Sequence, residues 1–358
     1  MARSDGSRRI TQRDIARLAG VSQTTVSLVL NNRAGDTARI PAQTRERVLQ
    51  VIRETGYVAD PIARRLVDRH NRIFGVFTYE PVFPSQTADF YHPFLVGIEE
   101  CAEALGCDLL LFTSAPSVGG RRRIYQEGNR LRLADGCVLL GRELDRDDLA
   151  RLVAERQPFV SVGRREDAGG RVPYVGADYA AATAELVRRA VALGHRRLAY
   201  LGDGEGPESF VDRFRGFTDG VADAGAYGAR HRVPEAGAGA LLPALLDDRI
   251  TAVFLEEYAD GAGLAAAARE RGLAIPADLS VIALGHPTRP AAAEPEPPSL
   301  TFTGFRIPRR EMGWRAVELL AAVIEGTANQ QTWQQLLPCE PVDGATLAPP
   351  AVRQPEGV

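Results

Sequence analysis

Residues 10–33 read Ile10-Thr11-Gln12-Arg13-Asp14-Ile15-Ala16-Arg17-Leu18-Ala19-Gly20-Val21-Ser22-Gln23-Thr24-Thr25-Val26-Ser27-Leu28-Val29-Leu30-Asn31-Asn32-Arg33. This stretch spells two short helices joined by a tight turn. Thr11 suits an N-cap, and Asp14 three residues on can complete a capping box. Ile15, Leu18 and Ala19 are expected on one apolar face, and Gly20 supplies the left-handed stop. Ser22 then caps a second helix whose Val26, Val29 and Leu30 face inward. Gln23, Thr24, Ser27 and Leu28 are left outward, where the second helix of a helix-turn-helix meets base edges.

Any α-hairpin can carry Ala-Gly-Val-Ser between apolar stripes, so the surroundings decide. Thr44 to Arg53 repeats the helical period, with Val48, Leu49 and Ile52 inward and Gly56 as its stop. Residues 1–70 hold thirteen arginines against seven acids, a net of +6 on a chain whose total is −3. A basic head on an acidic body is the charge pattern of a module that neutralises phosphates. All 43 basic residues are arginine, which reads as coding bias. Asp60 can cap, and Pro61 suits the first position of, a two-turn helix too short to persist alone in water.

From Ile73 onward strand and helix patterns alternate. Ile73–Thr78, Leu109–Phe112, Gly136–Leu140, Phe159–Val162, Leu198–Leu201, Ala252–Leu255 and Leu279–Leu284 read as buried strands, with amphipathic helices between them. Repeated βα units imply doubly wound parallel sheets. The division predicts a helix-turn-helix domain over 1–59, a hinge helix over 60–70, a core over 71–350 and a tail over 351–358. Within the core, a first lobe is expected over about 71–173 plus 303–330, and a second over about 174–302 plus 331–350. In open parallel sheets ligands bind beyond the carboxyl ends of the strands, so facing lobes place a small-molecule cleft between them.

At 358 residues with 45% hydrophobic and 25% charged content, the chain has an ordinary globular composition. No apolar run approaches the ~20 residues of a membrane span, and no secretory h-region is seen, so a cytoplasmic location is expected. Cys101, Cys107, Cys137 and Cys339 lack metal spacing and read as reduced thiols. The five histidines are scattered, and neither a metal nor a cofactor is expected. Gly202 to Gly206 follows a strand but lacks the G-x-G-x-x-G spacing of a nucleotide loop, and no nucleophile elbow, kinase set or zinc motif is present. An enzyme is therefore disfavoured, as is an exported transport-binding protein.

Several blocks carry a resemblance: Asp14-Ile15-Ala16, Ala19-Gly20-Val21-Ser22, Thr25-Val26-Ser27, Thr44-Arg45-Glu46-Arg47-Val48, Gly56-Tyr57, Gly97-Ile98-Glu99, Leu193-Gly194-His195-Arg196-Arg197, Arg213 with Gly216-Phe217, and Pro308 with Glu311-Met312-Gly313. In this order they resemble the lactose-repressor (LacI/GalR) family of bacterial transcription regulators over essentially the whole chain. The resemblance implies a three-helix head, a hinge helix and a two-lobed core like that of periplasmic binding proteins. It also implies homodimers at least, binding double-stranded, near-palindromic operator DNA. By position, Gln23, Thr24 and Ser27 match major-groove readers, with Leu28 beside them. Thr25, Asn31 and Thr44 match residues near phosphates, and Thr11 falls among the DNA-binding positions. Ala63 and Leu66 match the hinge, Leu66 being the leucine that wedges into the minor groove.

In the core, Arg213 matches the family's ligand-binding arginine, Phe94 an aromatic that stacks on the ligand, and Asp178 begins a helix beside the strand at Tyr174. The family's Asn-Asp and Phe-Asp-Asp lining positions are here Glu257-Tyr258 and Leu284-Gly285-His286. An Arg fork in a cleft suits hydroxyl pairs or a carboxylate. The expected protein is a ligand-responsive repressor with a small polar effector, a carbohydrate or polyol. A transcriptional activator of the same architecture, or a nucleoside effector, stays open. Leu28 stands where many members carry Arg, which removes a bidentate contact to guanine. Leu28→Arg is accordingly expected to shift binding-site selection towards guanine at one position in each half-site. Unchanged selection would show that this side chain faces away from the bases.

Overall fold

The computed structural model describes residues 10–31, 40–57, 71–80, 88–113, 117–118, 121–125, 130–286 and 301–351. The chain divides into two compact units, Met1–Asn71 and Arg72–Val358. The hinge residues Ala63 and Leu66, the Pro-rich stretch at 294–299 and the tail beyond Ala351 lie outside the described residues.

Among its described residues the first unit holds three helices, α1 (Gln12–Ala19), α2 (Gln23–Asn31) and α3 (Ala42–Thr55). Both halves of the Thr11/Asp14 capping box form, and Gly20 closes α1 at φ 63°. Ile15, Ala19, Val26, Val29 and Val48 make its core. Leu18 departs from expectation, at 56% exposed. At about 100° per residue, Ile15, Ala16 and Ala19 define the buried face, and Leu18 falls well off its centre. The Arg47 Nε of α3 donates to the Ala19 carbonyl at 2.9 Å, satisfying a helix-end acceptor that the turn would otherwise leave open.

The second unit is a pair of doubly wound sheets. Its strands are β1 (Ile73–Thr78), β2 (Asp108–Phe112), β3 (Ser117–Val118), β4 (Arg121–Arg122), β5 (Gly136–Leu140), β6 (Phe159–Val162), β7 (Tyr174–Ala177), β8 (Arg197–Leu201), β9 (Tyr227–His231), β10 (Ala252–Leu255), β11 (Ser280–Ala283), β12 (Thr303–Arg306), β13 (Gln334–Leu337) and β14 (Glu340–Val342). Its helices are α4 (Ala88–Ala104), α5 (Arg146–Ala154), α6 (Tyr179–Ala192), α7 (Glu208–Asp223), α8 (Leu242–Asp247), α9 (Asp260–Glu270) and α10 (Arg309–Glu325). The first sheet runs β13-β7-β6-β5-β1-β2, and all its pairs are parallel. The second runs β14-β12-β11-β10-β8-β9, parallel except for β12 with β14. Alternate residues of each strand serve opposite faces. Val138 and Leu140 of β5 meet one cluster while Cys137 and Leu139 meet another, under Leu149 and Leu152 of α5.

The lobes are assembled differently from the sequence expectation. Tyr174–Ala177 joins the first sheet rather than opening the second lobe, residues 303–306 join the second sheet, and 334–337 return to the first as its edge. Period-two patterning reveals a strand but not its sheet, which backbone pairing across more than a hundred residues decides. The chain thus crosses between the lobes after β7, between β12 and α10, and between β13 and β14.

In the first lobe α4 lies directly on α10. A Cβ on Gly97 would sit 1.9 Å from the Arg310 carbonyl oxygen, and one on Gly313 would sit 2.2 Å from that of Phe94. Both obstacles are backbone, so neither can yield without parting the helices. Gly97→Ala is expected to cost about 1–3 kcal/mol or more as overpacking, read as a lower urea midpoint at unchanged m-value. An unaltered midpoint would mean that the helices separate freely.

Candidate functional site

On α2, Gln23 and Thr24 are exposed and Ser27 and Leu28 half-buried, opposite the buried Val26 and Val29. The Ser22 hydroxyl accepts the Thr25 N–H at 3.1 Å and pairs with the Thr25 hydroxyl at 2.9 Å. Thr25 is therefore partly occupied in starting the helix. The Thr11 hydroxyl and Asp14 are similarly occupied in capping α1. Asn31 ends α2, its side chain lying outside the described residues, and Thr44 sits half-exposed in the first turn of α3. The open face of α2 thus presents an amide, a hydroxyl, a second hydroxyl and an aliphatic chain. Those are groups that read adenine edges and thymine methyls.

In the second unit a cavity of about 390 Å³ opens between the lobes. Its walls come from the residues just past β5 (Gly141, Arg142), β6 (Gly163, Arg164, Arg165), β10 (Glu256, Glu257, Tyr258) and β11 (Gly285, His286). These are the carboxyl ends of strands in both sheets. Phe94, Arg213, Glu257 and His286 all line it. Asp178 does not: its carboxylate accepts the Ala181 N–H at 3.0 Å as the N-cap of α6, and the next residue, Tyr179, reaches the cavity instead.

Arg213 is buried on α7. Its Nε donates to the Leu284 carbonyl at 2.6 Å and Nη1 to that of Ser209 at 3.0 Å. Its guanidinium stands 4.1 Å from the centre of the Tyr179 ring. His286 packs its ring 4.9 Å from Tyr258. Burial holds its imidazole below the ordinary value, against a bond to the Phe302 carbonyl that acts the other way, which favours the neutral ring. The neighbouring Glu256 is committed: it accepts from the Tyr200 hydroxyl at 2.6 Å and from the Asp203 and Gly204 N–H groups at 3.1 and 2.8 Å. Burial pushes its carboxyl up. Phe90 meets the guanidiniums of Arg142 and Arg309 at 4.9 and 5.4 Å.

Sequence reasoning missed a set of ion pairs that cross the cleft. Arg142 meets Glu257 at 3.3 Å, Arg164 meets Asp212 at 2.6 Å, and Arg165 meets Glu208 at 2.8 Å. In each the arginine belongs to the first lobe and the acid to the second. Arg165 is the most deeply held, also donating to Ser161 Oγ at 3.1 Å and to the Gly141 carbonyl at 2.6 Å. The pair Arg164-Arg165 directly after a buried strand was the available signal, since that is where ligand-facing residues are expected. Their partners, more than forty residues away, had no local mark.

Comparison with known proteins follows the same division. Residues 11–60 match the model of bacterial regulatory proteins of the lacI family. Residues 81–237 match periplasmic binding proteins and sugar binding domains of that family, and 187–347 a periplasmic binding protein-like domain. The HTH-type transcriptional regulator MalR of Streptomyces coelicolor is 30% identical over 360 residues, covering 95% of this chain and 97% of its own. A lac repressor dimer bound to operator and the anti-inducer ONPF superposes with a TM-score of 0.70 at 22% identity, over 95% of this chain and all of that one. A complex of the transcriptional regulator CelR with cellobiose gives 0.58 at 25% identity, over 94% and 100%.

The cross-lobe pairs have a measurable weight. Arg165→Met would leave Glu208 and several carbonyls without their donor, and breaking a buried pair from one side costs about 3–5 kcal/mol. The expected loss is at the lower end, because Glu208 keeps some access to water. Urea denaturation reads it directly. A change below about 0.5 kcal/mol, the scale of an ordinary surface substitution, would show that the pair carries no load.

Proposed function

The chain belongs to the lacI family of bacterial regulatory proteins, and from that premise we propose how its parts divide the work. It is a DNA-binding transcription regulator with a two-lobed effector core. Its action is repression, by a homodimer on a near-palindromic operator, in the cytoplasm and without catalysis. Among the described residues no helix is long and apolar enough to cross a membrane. Gln23, Thr24, Ser27 and Leu28 read the major groove, while Thr11, Thr25, Asn31 and Thr44 serve the backbone contacts that position α2.

The effector is a carbohydrate or polyol held between the lobes. The observation that carries this reading is the pairing of a buried guanidinium with aromatic faces in one cavity. Arg213 offers donors to hydroxyls, while Phe90, Tyr179, Phe210 and Tyr258 offer apolar surface to the face of a ring. A cavity of about 390 Å³ lies within the ordinary range for small-molecule sites. The complex of the similar CelR with cellobiose supports the same class. A ligand that bridges the lobes alters the free energy of their closure. Coupling of ~1–3 kcal/mol suffices to change operator affinity about 5–150-fold.

Arg213→Ala is expected to abolish the effector's influence on operator affinity, measured as the ratio of operator dissociation constants with and without effector. A ratio equal to that of the wild type would remove Arg213 from the site.

A further inference from the structure

Five guanidiniums line the cleft, on Arg142, Arg164, Arg165, Arg213 and Arg309, against three carboxylates, on Asp212, Glu256 and Glu257. Arg142, Arg164 and Arg165 are each matched by an acid across the cleft, which uses Glu257, Asp212 and, from just behind the wall, Glu208. The remaining carboxylate, Glu256, is held by Tyr200 and two backbone N–H groups. Burial raises its carboxyl, while those three hydrogen bonds and the nearby Arg213 guanidinium act the other way.

Arg213 differs from the other three. It is 6% exposed, and among the described residues its hydrogen bonds go only to the Leu284 and Ser209 carbonyls. Carbonyl dipoles solvate a cation without neutralising it, and a buried charge with no directly bonded counter-charge is costly; Glu256 acts on Arg213 only through space. The neighbouring Arg309 deepens the same positive potential. Burial, with Arg213 and Arg142 nearby, lowers its readiness to stay charged.

One edge of the fork is also open. No hydrogen bond to Nη2 of Arg213 is formed by the described residues, and Gly285 at φ 149° lies beside it. A side chain there would begin 3.4 Å from Nη2 and close that edge.

We propose that the effector carries one oxyanion group, a carboxylate or a phosphate, on a small polyhydroxy frame, with the oxyanion seated on the open edge of Arg213. This rests on the reading of the cleft as the effector site and sharpens it from a neutral sugar to an anionic one. A neutral sugar would satisfy the donors of Arg213 but give it no directly bonded counter-charge. An oxyanion does both, through charge-assisted bonds about twice as strong as neutral ones.

The test is a thermal-shift and calorimetric titration of the full chain with matched pairs. These are glucose with glucuronate and galactose with galacturonate, together with gluconate, glucose 6-phosphate and inorganic phosphate as the bare anion, all at fixed ionic strength. An acid or phosphate ester is expected to bind at least roughly tenfold more tightly than its neutral partner, and Arg213→Gln is expected to erase that preference. The carboxylate and phosphate arms identify which oxyanion is used. A neutral sugar that binds as well as its acid overturns the anionic effector while leaving a sugar cleft. An anion preference that survives Arg213→Gln overturns the assignment to Arg213. Response to phosphate but to no sugar or sugar acid supports the anion seat and counts against the polyhydroxy frame. Silence from every anion, phosphate included, overturns the proposal. Where Arg213→Gln does not fold, Arg213→Lys decides: it keeps the charge and loses the fork. It should retain the preference for the acid at reduced affinity, and loss of all preference in a folded Lys variant counts against a charge-based seat.

Discussion

The effector core is governed by a connectivity constraint: among the described residues the chain passes between its two lobes three times. The crossings follow Ala177, separate Arg306 from Arg309, and separate Leu337 from Glu340. Three tethers forbid the lobes from parting and leave them rotation or shear. The cleft, the ion pairs that span it and the residues at the strand ends all depend on this. Each tether begins or ends a strand, so a change of lobe angle is transmitted to backbone that is hydrogen-bonded into a sheet. The rigidity of the α4–α10 contact, where two glycines bring backbone against backbone, makes the first lobe move as a body.

Within that frame the cleft combines two kinds of contact. Cross-lobe guanidinium–carboxylate pairs favour the closed arrangement without any ligand. The Arg213, Tyr179 and His286 surfaces face one cavity. A ligand bridging them adds to a closure that the protein already partly supplies, which is how a modest binding energy can shift a balance between conformers.

Much of the head was legible from local chemistry. Thr11, Asp14, Gly20 and Ser22 act through contacts no more than five residues long, so their spacing alone announces them. Leu18 was misplaced because an eight-residue helix offers little periodicity to average over. In the core, strands such as Gly136–Leu140 and Ala252–Leu255 were visible as apolar runs, and the rule about strand ends pointed to the cleft. What escaped was long-range. The sheet membership of residues 174–177, 303–306 and 334–337 depends on pairing partners far along the chain. Arg142, Arg164 and Arg165 gain their meaning only from acids on the other lobe. Asp178 shows the opposite error: a helix cap and a cleft residue look alike in sequence, and here the carboxylate caps its helix.

The three cross-lobe pairs are graded in exposure. Arg142–Glu257 has both side chains about half exposed, whereas Asp212 and Arg165 in the other two pairs are almost wholly enclosed. Arginine keeps its proton throughout the physiological range, so these ties are governed by ionic strength more than by acidity. At physiological salt, screening acts over about 8 Å in water but weakly within protein. Rising salt therefore weakens the Arg142–Glu257 tie first, while the Arg164–Asp212 and Arg165–Glu208 ties hold. Ionic strength would then tune the grip between the lobes through its solvent-facing tie, while the two enclosed ties set a floor beneath it.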